Sequence, residues 1–218
     1  ICQAIGIENM KTPEVVARNL EEYVFFKIGK LHFIDSLQHL NASLNALTEN
    51  LLSKGKQCFV NTREYFQKHF PNTCSEGEDL LLKKLPYPYK YMDSVEKFNE
   101  TSLPSKSDFY NDLSEEDITE IDYQTAVKVW KIFELTNLGE LHDLYVESDT
   151  NLLADVFENY RTLCLQYYGL DPCHFYTCPG LSWAAALKHS CVELELFTDP
   201  DMNIFIDKGI RGGISQIS

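Results

Sequence analysis

Several features that define other protein classes are scarce or missing in this chain of 218 residues. No apolar run approaches the roughly 18 to 20 residues that cross a bilayer, and no basic flank precedes an apolar stretch near the first residue, so we expect no membrane partner. With only 10 Gly and 8 Pro the chain is neither low-complexity nor fibrous. Its 44% hydrophobic and 12% aromatic residues are enough to bury a core, which excludes global disorder.

Basic residues are also few. The chain has 19 Lys+Arg against 33 Asp+Glu, which gives a formal net charge of -14. A protein that grips nucleic acid by charge alone needs clustered Lys and Arg to neutralise phosphates, so the composition argues against that class. It is compatible with an acidic catalytic lobe that binds metal.

The 7 cysteines are scattered and include no Cys-x-x-Cys pair. A reducing compartment is the simpler interpretation of an odd, dispersed set. One cluster favours a zinc hypothesis, because thiolate and imidazole suit that metal, although its spacings match no usual zinc template. The alternative is that the thiols are small core residues. The cluster consists of Cys173, His174, Cys178, His189 and Cys191.

The first half of the chain predicts a β-hairpin followed by a helix. Residues 23–28 and 31–35 are rich in β-branched and aromatic residues, and Gly29 and Lys30 between them form a turn signal. Asn41 precedes leucines at helical spacing. Residues 74–111, with several prolines and tyrosines, predict an ordered but irregular segment.

The second half predicts mainly helices. Ser114, followed by three acids, indicates a helix start whose apolar positions continue to Phe133. A second helix is predicted from about 140 to 168 and a third from 182 to 195. We therefore expect an α+β fold of mixed, helix-rich character.

Asp149 breaks the pattern of the predicted helix 140–168. At about 100° per residue, the apolar residues of this helix fall within about 60° of Asp149, whereas Asp143, Glu147 and Asp155 point away and are interpreted as solvated charges. Burying an unpartnered carboxylate costs several kcal/mol. A structural role, such as an N-cap of a helix that restarts at Thr150, and a metal or catalytic role both explain the position. The apolar residues are Tyr145, Leu152, Leu153, Val156, Tyr160 and Leu163.

Tyr145 lies four residues before Asp149 on the same face. Its hydroxyl and the carboxylate can reach one small volume, where a hard cation held by oxygen ligands and a phenol that orients water form a plausible pair. Two-metal phosphoryl chemistry needs further acids that converge on the same ions.

The stretch around these residues resembles a known motif. Tyr145-Val146-Glu147-Ser148-Asp149 is similar to the third exonuclease motif, Tyr-x-x-x-Asp, of family B DNA polymerases, and within them to the protein-primed branch of viruses and self-synthesising transposons. Further stretches agree in order, and together they cover nearly the whole chain. They are residues 33–37, 87–93, 138–158, 168–172, 179–183 and 209–215.

The resemblance implies roles for individual residues. Asp149 would be a metal ligand of a 3'-5' exonuclease site, with Mg²⁺ or Mn²⁺ in the complete enzyme, and Tyr145 would orient the attacking water. Ser36 and Leu37 match a Ser/Thr-Leu motif that implies contact with the single-stranded primer end and the terminal priming protein. Residues 210–213 match a Tyr-x-Gly-Gly motif that couples the exonuclease and polymerase domains on DNA, which implies DNA contacts for Arg211, Gly212 and Gly213.

The chain departs from the family in several places. Ile210 replaces the usual Tyr, Ala184 stands where relatives have Asp, and neither the Asp-x-Glu nor the Asn-x-x-(Phe/Tyr)-Asp motif occurs. The resemblance therefore implies an internal fragment: residues 1–200 as the later part of an RNase H-like exonuclease domain and 201–218 as a junction before the palm.

The complete enzyme would copy a DNA template with dNTPs and proofread, and the isolated chain is predicted to be inactive. The alternative is a non-catalytic, acidic interaction module derived from such a polymerase, and a zinc-stabilised module comes third.

Overall fold

The structure is a computed structural model that describes residues 14–17, 23–112 and 115–210. Within these residues a single sheet is antiparallel, with strand order β1 (Glu14–Ala17), β2 (Tyr23–Ile28) and β3 (Leu31–Ile34). Strands β2 and β3 form the predicted hairpin, and Gly29 adopts the left-handed conformation (φ 63°) that its turn requires. The hairpin prediction is confirmed.

The hairpin rests on the part of the chain that follows the longest helix. The buried ring of Phe25 packs 4.5 Å from the ring of Tyr176. Just after β3, Nε2 of the buried His39 is hydrogen-bonded to the carbonyl oxygen of Phe175 at 3.0 Å. One contact thus holds the hairpin, and the other holds the turn that carries Ser36, against residues 175–176.

Helices make up most of the described chain, so the helix-rich α+β fold class is confirmed. Ser43, Thr119, Asn137, Thr177 and Asp199 cap the helices α1, α4, α5, α6 and α7 through side-chain oxygens. The helices are α1 (Leu44–Ser53), α2 (Val60–His69), α3 (Ser75–Leu81), α4 (Glu120–Ile132), α5 (Leu138–Tyr168), α6 (Cys178–Ser190) and α7 (Pro200–Gly209).

Helix α5 is the central element, with 31 residues and a length of about 46 Å at 1.5 Å per residue. It ends at Gly169, which takes the left-handed conformation of a helix C-cap (φ 60°). The Lys188 ammonium of α6 donates to the Gly169 carbonyl oxygen at 2.8 Å. A cation therefore lies at the negative end of the α5 dipole.

The core consists of two apolar clusters that share α5. The first lies around Leu138, Leu141, Leu144 and Tyr145, and the second around Leu152 and Val156. Residues from the other helices and the segments next to them complete each cluster: Phe66, Leu81, Leu85, Val129 and Phe133 in the first, and Leu51, Phe59 and Leu82 in the second.

Several predicted boundaries are wrong. Helix α6 ends at Ser190 rather than 195, because Cys191 takes the left-handed conformation (φ 54°). Helix α4 begins after Thr119, whereas the predicted start, Ser114, lies outside the described residues. Helix α3 falls inside the segment predicted to be irregular, and α7 was not predicted.

Residues 191–210, which we call the arm, are exposed throughout. Large apolar side chains on it include Leu196, 85% exposed, and Phe205, 72% exposed. No helix in the described part of the chain combines the length and apolar character that crossing a membrane requires.

Candidate active site

Two polar residues interrupt the apolar face of α5 between the two core clusters. The contribution of α5 to the first cluster ends at Tyr145 and its contribution to the second begins at Leu152. Ser148 and Asp149 lie between them, and Ser148 is fully buried. Ser148 Oγ and Asp149 Oδ1 are both shielded from solvent without a hydrogen-bond partner. Orphaned buried oxygens are rare in native proteins and require an explanation.

Tyr145 and Asp149 meet as their spacing predicts. The Tyr145 hydroxyl donates to Asp149 Oδ2 at 2.7 Å, which leaves Oδ1 as the unpartnered oxygen. Helix α5 is continuous through this point, so the hypothesis of an N-cap for a helix that restarts at Thr150 is wrong.

Two further tyrosines and a histidine surround Tyr145. The Tyr89 and Tyr145 hydroxyls are hydrogen-bonded to each other. The Tyr87 ring stacks on the Tyr145 ring with centroids 4.5 Å apart, and the Tyr87 hydroxyl is hydrogen-bonded to His142 Nδ1 at 2.7 Å. Burial raises the pKa of Tyr145 well above its ordinary value, and hydrogen bonds to Tyr89 and Asp149 raise it further. Tyr145 is therefore a neutral hydrogen-bond donor at physiological pH.

Sequence reasoning did not place Tyr87, Tyr89 and His142 at this site. The available signal was the density of tyrosines in residues 87–91. This segment is irregular and has neither strand nor helix spacing. Its periodicity therefore could not predict which way its side chains point.

Asp155 contradicts the prediction of a solvated charge, because it is only 1% exposed. Its Oδ1 accepts from the Asn61 backbone N and Nδ2 at 2.8 and 2.9 Å, and its Oδ2 accepts from the Thr62 backbone N and Oγ1 at 3.0 and 2.7 Å. These residues form the first turn of α2, whose N-cap Phe59 has no side-chain oxygen to offer. Asp155 thus caps α2 from α5. The prediction failed because α5 packs against α2 on a second side.

Asp171, just after α5, is likewise fully partnered. Arg161 Nε and Nη2 donate to its Oδ2 at 2.9 and 2.7 Å, and the Cys173 backbone N donates to its Oδ1 at 3.0 Å. The Arg161 guanidinium, as the main cause, holds the pKa of Asp171 at about 2.

The residues predicted to contact DNA lie in two places. Ser36 and Leu37 form a 3₁₀ turn after β3, and the Leu37 side chain is 53% exposed. A cavity of about 450 Å³ separates Ser36 from Thr150 and Leu153 of α5, so this turn faces the stretch of α5 that follows Asp149. Arg211, Gly212 and Gly213 lie outside the described residues.

The described residues hold no group of three or more His, Cys, Asp and Glu side chains positioned for a metal ion. The candidate zinc cluster does not converge, because Cys178 begins α6 and Cys191 follows its last residue. These positions are about 20 Å apart at 1.5 Å per residue, far beyond shared coordination. Asp149 fits a divalent cation as a single ligand, since its Oδ1 is a free acceptor. Such an ion would need ligands beyond those described.

Comparison of the chain with protein-family models, with curated proteins and with solved structures gives no match. The polymerase resemblance therefore depends on the order of the short sequence motifs alone.

Proposed function

We propose that this chain is the later part of an RNase H-like 3'-5' exonuclease domain of a protein-primed family B DNA polymerase, followed by the junction to its palm. One observation carries the proposal. The Tyr145 hydroxyl holds Asp149 Oδ2 at 2.7 Å, while Oδ1 is shielded from solvent and has no partner. This arrangement suits a carboxylate that is fixed in direction and has one oxygen available for a ligand.

The chemistry of the two side chains follows from their hydrogen bonds. A carboxylate can only accept hydrogen bonds, so the single hydroxyl proton of Tyr145 is used in the hydrogen bond that Tyr145 donates to Asp149. The Tyr145 oxygen is also in contact with the Tyr89 hydroxyl, so in this proposal Tyr145 orients the attacking water through Asp149, whose Oδ1 has no other partner. Asp149 Oδ1 would hold Mg²⁺ or Mn²⁺ together with acids from outside these residues, and the ion would make that water a stronger nucleophile for phosphodiester hydrolysis.

The turn at Ser36 and Leu37 supports a place for single-stranded DNA. Leu37 is half exposed, and the cavity beside Ser36 opens next to the α5 stretch that follows Asp149. A primer end held there would lie beside Thr150 and Leu153 of α5. In this proposal, three further properties belong to the complete enzyme. They are contact of the same turn with the terminal priming protein, DNA contacts of Arg211, Gly212 and Gly213, and the use of dNTPs.

The proposal is tested in the complete polymerase with Asp149→Ala. We expect proofreading of a mismatched primer end to be abolished while nucleotide incorporation is retained, because the exonuclease loses a metal ligand and the palm is untouched. Asp143→Ala, which removes an exposed acid of the same helix, is the matched control and leaves both activities unchanged. Loss of synthesis in Asp149→Ala would remove Asp149 from the exonuclease role.

The isolated 218-residue chain gives a second test. It supplies only Asp149 of the expected carboxylates, so we expect no Mg²⁺-dependent degradation of single-stranded DNA. Such degradation by the purified chain would contradict the fragment interpretation.

The arm favours one alternative, a non-catalytic acidic interaction module derived from such a polymerase. Large exposed apolar side chains interleaved with acids are typical of a surface that binds a protein. The flanking reading frame separates the two. Asp-x-Glu and Asn-x-x-(Phe/Tyr)-Asp upstream with palm aspartates downstream favour the polymerase, and stop codons in both flanks favour the module.

A further inference from the structure

Tyr145 is held from two directions by one short segment, residues 87–89, which we call the clip. The Tyr89 hydroxyl contacts the Tyr145 hydroxyl, and the Tyr87 ring covers the face of the Tyr145 ring at 4.5 Å with an interplanar angle of 22°. Pro88 between them is almost completely buried, and its ring restricts the backbone of the segment. His142, one turn before Tyr145 on α5, binds the Tyr87 hydroxyl and anchors the clip to the same helix.

We propose that Tyr89 is a positioning residue, which holds the Tyr145 hydroxyl in the orientation that serves Asp149. Its consequence for catalysis rests on the proposed exonuclease function, but the orientation of the Tyr145 hydroxyl can be measured without that function.

The direction of the hydrogen bonds follows from the chemistry of the three groups. Asp149 can only accept, so Tyr145 donates to it, and the single phenol proton is then used. Tyr89 must therefore donate to Tyr145. The chain runs from Tyr89 through Tyr145 to Asp149, and each bond polarises the next. Without the Tyr89 hydroxyl, the Tyr145 oxygen loses the donor from which it accepts, and only Asp149 still fixes the rotation of the Tyr145 O–H bond.

Packing alone does not account for Tyr89. Its side chain is 57% exposed, in contrast to Tyr145, which is 7% exposed in the first core cluster. Tyr89 also borders a cavity of about 360 Å³ whose rim includes Glu116, Asp117 and Asp122. The hydrogen-bond chain thus begins at a water-accessible surface and ends at the shielded carboxylate.

The test uses the full chain with tyrosine labelled by ¹³C at Cζ, studied by NMR in an equal mixture of H₂O and D₂O. A slowly exchanging Tyr145 hydroxyl gives two Cζ lines, one for each isotope. In Tyr89→Phe we expect exchange of the Tyr145 hydroxyl to accelerate about tenfold or more, so that the two lines merge, because one of its two hydrogen bonds is lost.

Tyr167→Phe is the control, because Tyr167 is 70% exposed and lies near the end of the same helix. It should leave both Tyr145 lines unchanged, and neither variant should shift the unfolding midpoint appreciably. Two Tyr145 lines in Tyr89→Phe, with the exchange rate of the wild type, would overturn the proposal.

A kinetic measurement in the complete polymerase separates positioning from DNA contact. If Tyr89 acts through Tyr145, Tyr89→Phe lowers the exonuclease kcat about tenfold with an unchanged KM for the primer, and it has no further effect in a Tyr145→Phe background. A raised KM with unchanged kcat would identify a DNA contact instead and refute positioning in catalysis. Full exonuclease activity in Asp149→Ala would refute the proposed function, while the NMR result on Tyr89 would stand.

Discussion

Two carboxylates of α5, six residues apart, lie in opposite hydrogen-bonding environments. Around Asp155, four donors from α2 saturate both oxygens. Around Asp149, one phenol binds one oxygen, and the other oxygen has no partner. The first carboxylate joins two helices, whereas the second has one oxygen available for a ligand between the two core clusters.

The difference shows that burial alone does not identify a functional acid. Asp155 is more deeply buried than Asp149, and yet its hydrogen bonds explain it completely as a helix cap. Asp171 is also fully partnered, by Arg161 and the Cys173 backbone. Asp149 differs from both in its free oxygen, which is why we place the candidate site there.

Replacing Asp155 should have the largest effect on stability. Asp155→Ala leaves the backbone N–H groups of Asn61 and Thr62 without acceptors, and we expect it to cost about 3 kcal/mol of the free energy of unfolding. Asp155→Asn keeps one acceptor oxygen and should cost about half of that. Urea denaturation followed by circular dichroism measures both. A cost below about 1 kcal/mol for Asp155→Ala would remove the distinction between the two carboxylates.

Replacing Asp149 in the isolated chain should cost less. Asp149→Ala removes one hydrogen bond and an unpartnered oxygen together, and Tyr145 keeps its contact with Tyr89, so we expect a loss of about 1 kcal/mol at most. The same denaturation series provides the measurement. A loss as large as that of Asp155→Ala would show that Asp149 is structural.

The third carboxylate gives a pH dependence with a definite sign. Because Arg161 lowers the pKa of Asp171 to about 2 from an ordinary value of 3.8, its ionised form stabilises the fold above about pH 4, and this contribution disappears as the pH falls towards 2. Wild type should therefore unfold at a higher temperature than Asp171→Asn at pH 6, and the gap should close near pH 2. A gap that stays constant from pH 6 to pH 2 would contradict the pairing.

Two fully buried hydroxyls give the smallest and most discriminating comparison. Ser148 Oγ has no partner, whereas Thr62 Oγ1 donates to Asp155. Ser148→Ala should change the free energy of unfolding by no more than about 0.5 kcal/mol, because an apolar group replaces an unsatisfied one. Thr62→Val, the matched control, should cost about 1 kcal/mol. A larger loss for Ser148→Ala would mean that Ser148 has a partner in solution.

Local sequence patterns were sufficient for the elements that carry their own signals. The hairpin at Gly29 follows from its turn residues, and α5 follows from its 3.6-residue spacing between Asn137 and Gly169. The meeting of Tyr145 with Asp149 needed only their separation of four residues on one helix.

Long-range contacts account for the failures. Helix α2 has no capping residue at Phe59, so its start could not be identified from neighbouring residues. The cap is Asp155, 94 positions further along than Asn61, which explains why the sequence suggested a solvated charge there. Tyr89 was missed for the same reason, since an irregular segment places it 56 positions from Tyr145.

The cap of α2 also has a consequence for the order of assembly. Helix α2 has 10 residues, which is too short to persist alone in water, and its missing local cap weakens it further. It should become stable only after α5 has docked, so the first-turn amides of α2 should exchange with solvent only when α5 comes away. During synthesis on the ribosome, α5 would have to be complete before α2, nearly a hundred residues earlier, could fold stably. The two helices should therefore fold late and as one cooperative unit.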